Sequence, residues 1–240
     1  MNDSHPAQVD TPQLTAEEIL SRVLYRDGLM LVIDKPAGLP VHRGPKGGPN
    51  LEASFGALCF GLPRPPVLAH RLDKDTSGCL VLGRHRKATA SLGLLFKHGK
   101  IAKTYWTVVE GGPAADEGTI DLPLGRLNAE RGWWQKPDPE GQEAITNWKV
   151  LGRGDGLTWL AMEPVTGRTH QLRVHAASQG WPIVGDNIYG NGPRFGEPRL
   201  HLHSREIGIP ISRNKEPVRV VAPAPEHMQE RLRACGWNGQ

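Results

Sequence analysis

"RVLYRDGLMLVIDKP", residues 22–36, is the stretch whose reading decides the fold. Two aliphatic-rich runs flank Asp27 and Gly28, and an Asp-Gly pair supplies the positive φ angles that a tight turn requires. The stretch therefore predicts an antiparallel hairpin, its second strand closed by Pro36. Whether the rest follows this local pairing or a parallel, doubly wound plan depends on how often such turns recur.

They recur through most of the chain. "CLVLGR" (79–84) reads as a buried strand. "RKATASLGLLFKHG" (86–99) reads as a helix, with Ala88, Leu92, Leu95 and Phe96 at helical spacing and Gly99 as its stop. "KIAKTYWTVVEG" (100–111) is a strand with Ile101, Lys103, Tyr105, Thr107 and Val109 on one face. "TIDLPLGR" and "QEAITNWKVLGR" read as strands, and "GDG" (154–156) turns the latter into "LTWLAMEPVTGR". "NAERGWWQKPDPEG" between them reads as loop from its Pro and Gly content. "THQLRVHAASQG" (169–180) predicts a helix capped near Thr169, "RLHLHSREIGIPI" and "PVRVVAP" predict strands, and "PEHMQERLRACG" predicts a terminal helix. Strands outnumber helices and hairpin-length turns join many of them, so the pattern predicts an α+β fold with a mixed, mostly antiparallel central sheet flanked by helices.

Upstream of the hairpin, Thr15 and Glu18 fit a capping box for a short helical turn through Leu20. Residues 1–14 are polar, carry Pro6 and Pro12 and show no periodicity, so the expected organisation is a disordered tail at 1–14 and one folded domain at 15–240. Of the 240 residues 38% are hydrophobic, enough for a full core. No run approaches the roughly 18 apolar residues of a membrane span, and the N-terminus lacks the marks of a signal peptide, so a cytoplasmic location is expected. Cys59, Cys79 and Cys235 stand far apart and read as reduced and structural. The net charge of +4 suits a polyanionic partner, yet 25 acidic residues accompany 29 basic ones, so charge alone does not decide it.

Two clusters carry the chemistry. "HRLDKDTSG" (70–78) packs two carboxylates, two bases and a histidine together, and strand alternation would set Arg71 and Asp73 opposite His70 and Leu72. Alone, a carboxylate beside arginines is more often a structural ion pair than a catalyst. The second cluster, "GRTHQLRVH" (167–175), adds Arg168, His170, Gln171, Arg173 and His175. An arginine facing an aspartate lowers the carboxylate pKa by about 1–3 and keeps it available as nucleophile or base. His170 with His175, and His201 with His203, lack a third metal ligand at usual spacing. "GPKGGPN" (44–50) is no phosphate loop and reads as mobile. Trp133 and Trp134, beside Arg131 and Lys136, suit either base stacking or loop anchoring.

Together "VIDKPAGLPVH" (32–42), "HRLDKDTSGCLVLGR" (70–84), "KTYWTVVEG" (103–111), "GRTHQLRVH", "PIVGDNIYG" (182–190) and "RLHLHS" (199–204) resemble the RluA-like pseudouridine synthases, in that family's order over about 180 residues. The resemblance implies isomerisation of uridine to pseudouridine in RNA, without cofactor or metal. It implies that Asp73 is the essential aspartate, that Tyr105 packs on the uracil and takes part in proton removal from C5, and that Arg173 pairs with the catalytic carboxylate. Arg71 matches a position implicated in flipping the base, and Leu172 would help wall the pocket. His70, Arg168 and His170 are further candidates for binding the RNA, with His170 orienting the site. Attack at C1′, attack at C6 and removal of the C2′ proton all need the same ionised carboxylate, so the elementary step stays open. Asp75 falls at a variable place in the motif and reads as a surface residue.

Cys79 and Gly83 depart from the aliphatic residues or alanine more usual at those strand positions. Only some 20 residues precede "VLYRDG", too few for the S4-type RNA-binding domain of larger relatives. The expected enzyme is thus a compact, monomeric member that selects tRNA, large-subunit rRNA or both through its own surface, including loop 126–142. Two rivals are a hydrolase pairing Asp73 with a histidine, which lacks a clear nucleophile-and-base pair, and an RNA chaperone that keeps the fold without catalysis.

Overall fold

The hairpin of residues 22–36 forms in the computed structural model, which describes residues 11–44, 47–128, 133–212 and 214–240. β1 (Val23–Arg26) pairs antiparallel with β2 (Met30–Lys35). Its turn differs from the expected one, because neither Asp27 nor Gly28 has a positive φ. Instead the Asp27 carboxylate accepts the amides of Leu29 and Met30 at 2.7 and 2.8 Å, so a side chain rather than left-handed backbone holds the connection.

Ahead of the hairpin stands α1 (Ala16–Ser21), with both halves of the Thr15–Glu18 capping box in place. The folded part begins earlier than the sequence indicates. Residues 11–14 are fastened to the domain: Leu14 is buried, Thr11 Oγ1 donates to the Ala37 carbonyl, and Gln13 Nε2 donates to Asn50 O and Ser54 Oγ. A single leucine with polar neighbours has no period to reveal it, and its pocket is made by distant residues around the 3-10 helix Glu52–Leu58. Residues 1–10 lie outside the described residues, as do 45 and 46 of the 44–50 segment.

The chain continues through β3 (Val67–Leu68), β4 (Ser77–Gly83), α2 (Arg86–Lys97) and β5 (Ala102–Glu110). At Gly83 any side chain would collide with Thr89 of α2, which accounts for glycine where alanine is more usual. "TIDLPLGR" divides into β6 (Glu117–Asp121) and β7 (Leu124–Arg126). The segment read as loop contributes β8 (Gln135–Pro137), paired with β7 in a two-stranded ribbon. Residues 129–132, Arg131 included, lie outside the described residues. β9 (Ile145–Gly154), β10 (Leu157–Pro164), α3 (Gln171–Ser178), β11 (Leu202–Ile209), β12 (Val218–Val221) and α4 (Glu226–Ala234) complete the order.

One ten-stranded sheet runs β1-β2-β4-β11-β5-β10-β9-β6, with β3 on β4 and β12 on β11. Its pairs are antiparallel except β4 with β11, where Ser77 and Gly78 oppose His203 and Ser204. This is the mixed, mostly antiparallel α+β architecture that the hairpin spacing predicts. Alternation divides the core. Leu31, Ile33, Leu80 and Leu82 face Ile19 of α1 and Phe55 and Leu58 of the 3-10 helix, while Met30, Val32, Cys79 and Val81 face Leu92 of α2. Leu160 and Met162 of β10 pack on Leu172 and Ala176 of α3, and Trp159 packs on Met228 and Leu232 of α4. Tyr105 touches both the α1 cluster and the α3 cluster, and the seam it bridges is where the site lies.

Candidate active site

Asp73 sits on the irregular stretch between β3 and β4, not on a strand, yet its backbone is firmly held. Leu72 is buried, the Thr76 amide donates to the Asp73 carbonyl, and the Gly38 amide donates to Lys74 O at 2.9 Å. Beneath the loop, Lys35 at the end of β2 is 0% exposed. Its Nζ donates to the carbonyls of Pro36, Lys74 and Thr76 at 2.9, 2.8 and 2.8 Å. Burial pulls its pKa down to about 7, and the charges of Asp75, Asp73 and Asp34 resist that fall. His70 is committed to structure: its Nε2 accepts the Val81 amide at 3.0 Å and its ring stacks on Phe96, while burial lowers its pKa to about 3. The imidazole is therefore neutral, with its proton on Nδ1. Arg71, between them, is exposed.

The second cluster enters at α3. Its cap is His170, not Thr169; the residue has φ +54°, a left-handed conformation uncommon outside glycine, and its side chain makes no capping bond. Gln171 does the fastening: its Oε1 accepts from Thr166 Oγ1 and the Arg168 amide, and its Nε2 donates to Ile145 O and Thr146 Oγ1 of β9. His170 Nδ1 lies 2.7 Å from the Tyr189 hydroxyl, and its Nε2 lies 3.7 Å from Asp73 Oδ2. His175 turns inward, between Thr146 Oγ1 and Leu122 O.

One expected contact is replaced. Arg173 grips Asp186, not Asp73, its Nε and Nη2 donating to the two carboxylate oxygens at 2.8 and 2.7 Å. Burial opposes the charge on Asp186. The Arg173 guanidinium and the amides of Ile188 and Tyr189 outweigh it and hold that carboxyl below its usual range. Arg173 still lies within the field of Asp73, but the carboxylate it fits bidentately is the one on the 182–190 segment.

Asp73, Tyr105 and Arg173 do line one cleft of about 450 Å³, with His70, Arg71, Leu72, Phe96, Lys97, Lys103, Arg168, His170, Leu172 and Leu202 around it. Burial raises the Tyr105 phenol well above its ordinary range, so it is a neutral stacking surface and donor near Asp73. The cleft thus joins a carboxylate, an aromatic face, apolar walls and a cationic rim, which suits a planar base on an anionic backbone. Among the described residues no group of three His, Cys, Asp or Glu is placed to hold a metal, and no helix is long and apolar enough to cross a membrane.

Residues 29–178 match the family model described as RNA pseudouridylate synthase. The chain belongs to that family. It is 44% identical over 210 residues to an uncharacterised RNA pseudouridine synthase of Zymomonas mobilis, covering 87% of this chain and 95% of the relative. It is 36% identical to ribosomal large subunit pseudouridine synthase D of Xanthomonas campestris, over 91% of this chain and 70% of that one. Among solved structures, human RNA pseudouridylate synthase domain containing 4 superposes with a TM-score of 0.76 at 27% identity, over 91% of this chain and 95% of that one. The cleft is lined by the candidates His70, Arg71, Asp73, Tyr105, Arg168, His170, Leu172 and Arg173. Three residues without an assigned role join them: Lys103 on the lining, and Asp186 and Lys35 as partners of Arg173 and of the Asp73 loop. Asp186 stands in the quoted "PIVGDNIYG" without an assigned role, Lys35 in "VIDKPAGLPVH", and Lys103 shares a strand face with Tyr105. A lone basic residue closing an aliphatic strand, as Lys35 does, was the one signal in the sequence that an inward cation awaited carbonyl partners.

Proposed function

We propose that the synthase isomerises uridine in large-subunit rRNA, tRNA or both with Asp73 as the catalytic carboxylate. The observation that carries this is the placement of Asp73 on a loop pinned by Lys35, in one cleft with Tyr105 and the cations Arg71, Lys97, Lys103 and Arg168. A base inside folded RNA must leave its stack, at a cost of a few kcal/mol, before a carboxylate reaches its sugar. Arg71 is the exposed side chain at the rim that takes the vacated place. Tyr105 and Leu172 hold the extruded uracil between ring and wall. The N1–C1′ bond breaks, the uracil turns while held, C5 joins C1′, the C5 proton leaves to solvent and the freed N1 gains a proton; nothing is oxidised or reduced. Tyr105, kept neutral by burial, stacks and donates rather than acting as a phenolate. The relatives named ribosomal large subunit pseudouridine synthases C and D, 31% and 36% identical, support rRNA as a substrate. The enzyme acts in the cytoplasm as a monomer and without a metal, so excess chelator leaves its rate unchanged.

Tritium release from RNA labelled at uridine C5 tests this reading. Wild type and Asp75→Asn release tritium from cellular RNA lacking the modification, and Asp73→Asn releases none while still binding the RNA. Equal loss in both variants, or no release by wild type, refutes the assignment. Mapping pseudouridines in cells with and without the gene identifies the RNA.

A further inference from the structure

The uncommon backbone of His170 coincides with a side chain hydrogen-bonded to Tyr189 at Nδ1 and facing Asp73 at Nε2, and such a conformation persists only where its surroundings impose it. The protons at the ring can be assigned. The Tyr189 hydroxyl oxygen accepts the Gln135 amide at 2.9 Å, leaving its own O–H to find an acceptor. His170 Nδ1 lies 2.7 Å away. If Nδ1 carried the proton, the phenol O–H would lack this acceptor and the Nε2 lone pair would face the Asp73 carboxylate. With the proton on Nε2, all three groups are matched: Gln135 N–H to Tyr189, Tyr189 O–H to Nδ1, and Nε2–H toward Asp73 Oδ2 at 3.7 Å. Burial disfavours a second proton on the ring, against the pull of Asp73.

We propose that His170 is a positioning residue for Asp73, held as its Nε2–H tautomer by Tyr189 so that it engages Oδ2 and presents Oδ1 to the nucleotide. The inference rests on Asp73 being the catalytic carboxylate. The 3.7 Å separation shortens to a hydrogen bond when RNA fills the cleft, as catalytic contacts commonly do. The chain of donors begins at Gln135 on β8, and the Trp133 ring stands edge-on to His170 at 5.3 Å, so the β7–β8 ribbon supports the same imidazole. RNA contact with that ribbon therefore bears on the geometry of Asp73.

The test combines a spectroscopic and a kinetic reading on the full-length protein. ¹⁵N NMR of histidine-labelled enzyme, with His170 assigned by substitution, shows a neutral ring protonated at Nε2, and Tyr189→Phe mixes the two tautomers. In single-turnover tritium release, His170→Ala and Tyr189→Phe lower the rate at saturating RNA about tenfold or more with RNA affinity within twofold. His170→Gln, whose amide N–H replaces Nε2–H, recovers most of the rate. A ring protonated at Nδ1, or a His170→Ala rate within twofold of wild type, overturns the proposal. The tautomer reading needs no turnover, so it separates failure of this inference from failure of Asp73 as catalyst.

Discussion

Replacing Lys35 with methionine tests whether the loop that carries Asp73 is held by one buried ammonium. Methionine fills similar space and removes all three N–H donors, leaving the carbonyls of Pro36, Lys74 and Thr76 without them. Lys74 O keeps the Gly38 amide, so two carbonyls are orphaned at about 1–3 kcal/mol each, and relief of ammonium desolvation returns part of the sum, so a net loss of about 2 kcal/mol near neutral pH is expected. The folded pKa lies near 7 against an ordinary 10.5, which fixes the sign of the pH dependence. Between those values the unfolded chain binds a proton that the native chain does not, so Lys35 adds stability as pH rises. The gap between wild type and Lys35→Met should widen by about 2 kcal/mol from pH 7 to pH 9. Urea unfolding at both pH values measures this, and single-turnover tritium release measures the loop: a displacement of about 1 Å at Asp73 costs on the order of 100-fold in rate. A variant within about 1 kcal/mol of wild type, with unchanged turnover and no change of gap with pH, refutes the clamp.

The other predictions use different parts of the structure. Burial lowers His70 and His203 to about 3 and His201 to about 4, and raises Asp34 to about 6. Between pH 4 and 6 the unfolded chain protonates the three histidines first, while Asp34 works the other way and cancels one of them. Stability should therefore fall on acidification by about 3 kcal/mol per pH unit from these four groups, with the lowered His170, His175 and His227 acting in the same direction, and a flat unfolding midpoint over that range contradicts it. Gly78→Ala should cost more than about 3 kcal/mol, since φ is +103° there and a Cβ would strike the Ser204 carbonyl across the parallel pair; a midpoint near wild type by thermal melting disproves the clash. Arg71→Ala should leave the melting temperature unchanged because the side chain is exposed, and should slow single turnover about tenfold or more on folded RNA but less on a single-stranded oligonucleotide. Equal slowing on both substrates argues against a base-flipping role. RNA affinity should fall steeply with salt as phosphate contacts release counterions, and a salt-independent dissociation constant removes the cationic rim from substrate binding.

What the sequence made legible was whatever local periodicity encodes. α2 shows itself through Ala88, Leu92 and Phe96 at the helical period, and β4 through a continuous apolar run, because both of its faces are buried. The hairpin was legible from Asp27-Gly28 although its turn uses the Asp27 carboxylate, since both mechanisms favour aspartate. β8 was not, because a three-residue edge with two prolines nearby has no period, and its position depends on β7 and on the Tyr189 hydroxyl more than fifty residues away. The α3 cap was misplaced by one residue for a related reason. Thr169 has the composition of a cap, but the segment is held by Gln171 reaching β9, and a left-handed histidine leaves no compositional mark.

The site divides the same way, and the partner of Arg173 shows why it matters. Sequence brought Asp73 and Arg173 together as opposite charges, and both do line one cleft. Yet a carboxylate locked bidentately by a guanidinium has its lone pairs occupied, which makes it a good strut and a poor base or nucleophile. In the synthase that part falls to Asp186, which fixes Arg173 and, through its own two amide contacts, the segment that carries Tyr189. Among the described residues Asp73 is left with one long contact from a neutral imidazole, while Lys35 restrains its loop. With Asp73 as the proposed catalytic carboxylate, charge compensation and reactivity fall to different aspartates. The pairing that sequence could not locate is what allows a carboxylate to be held rigidly without being neutralised.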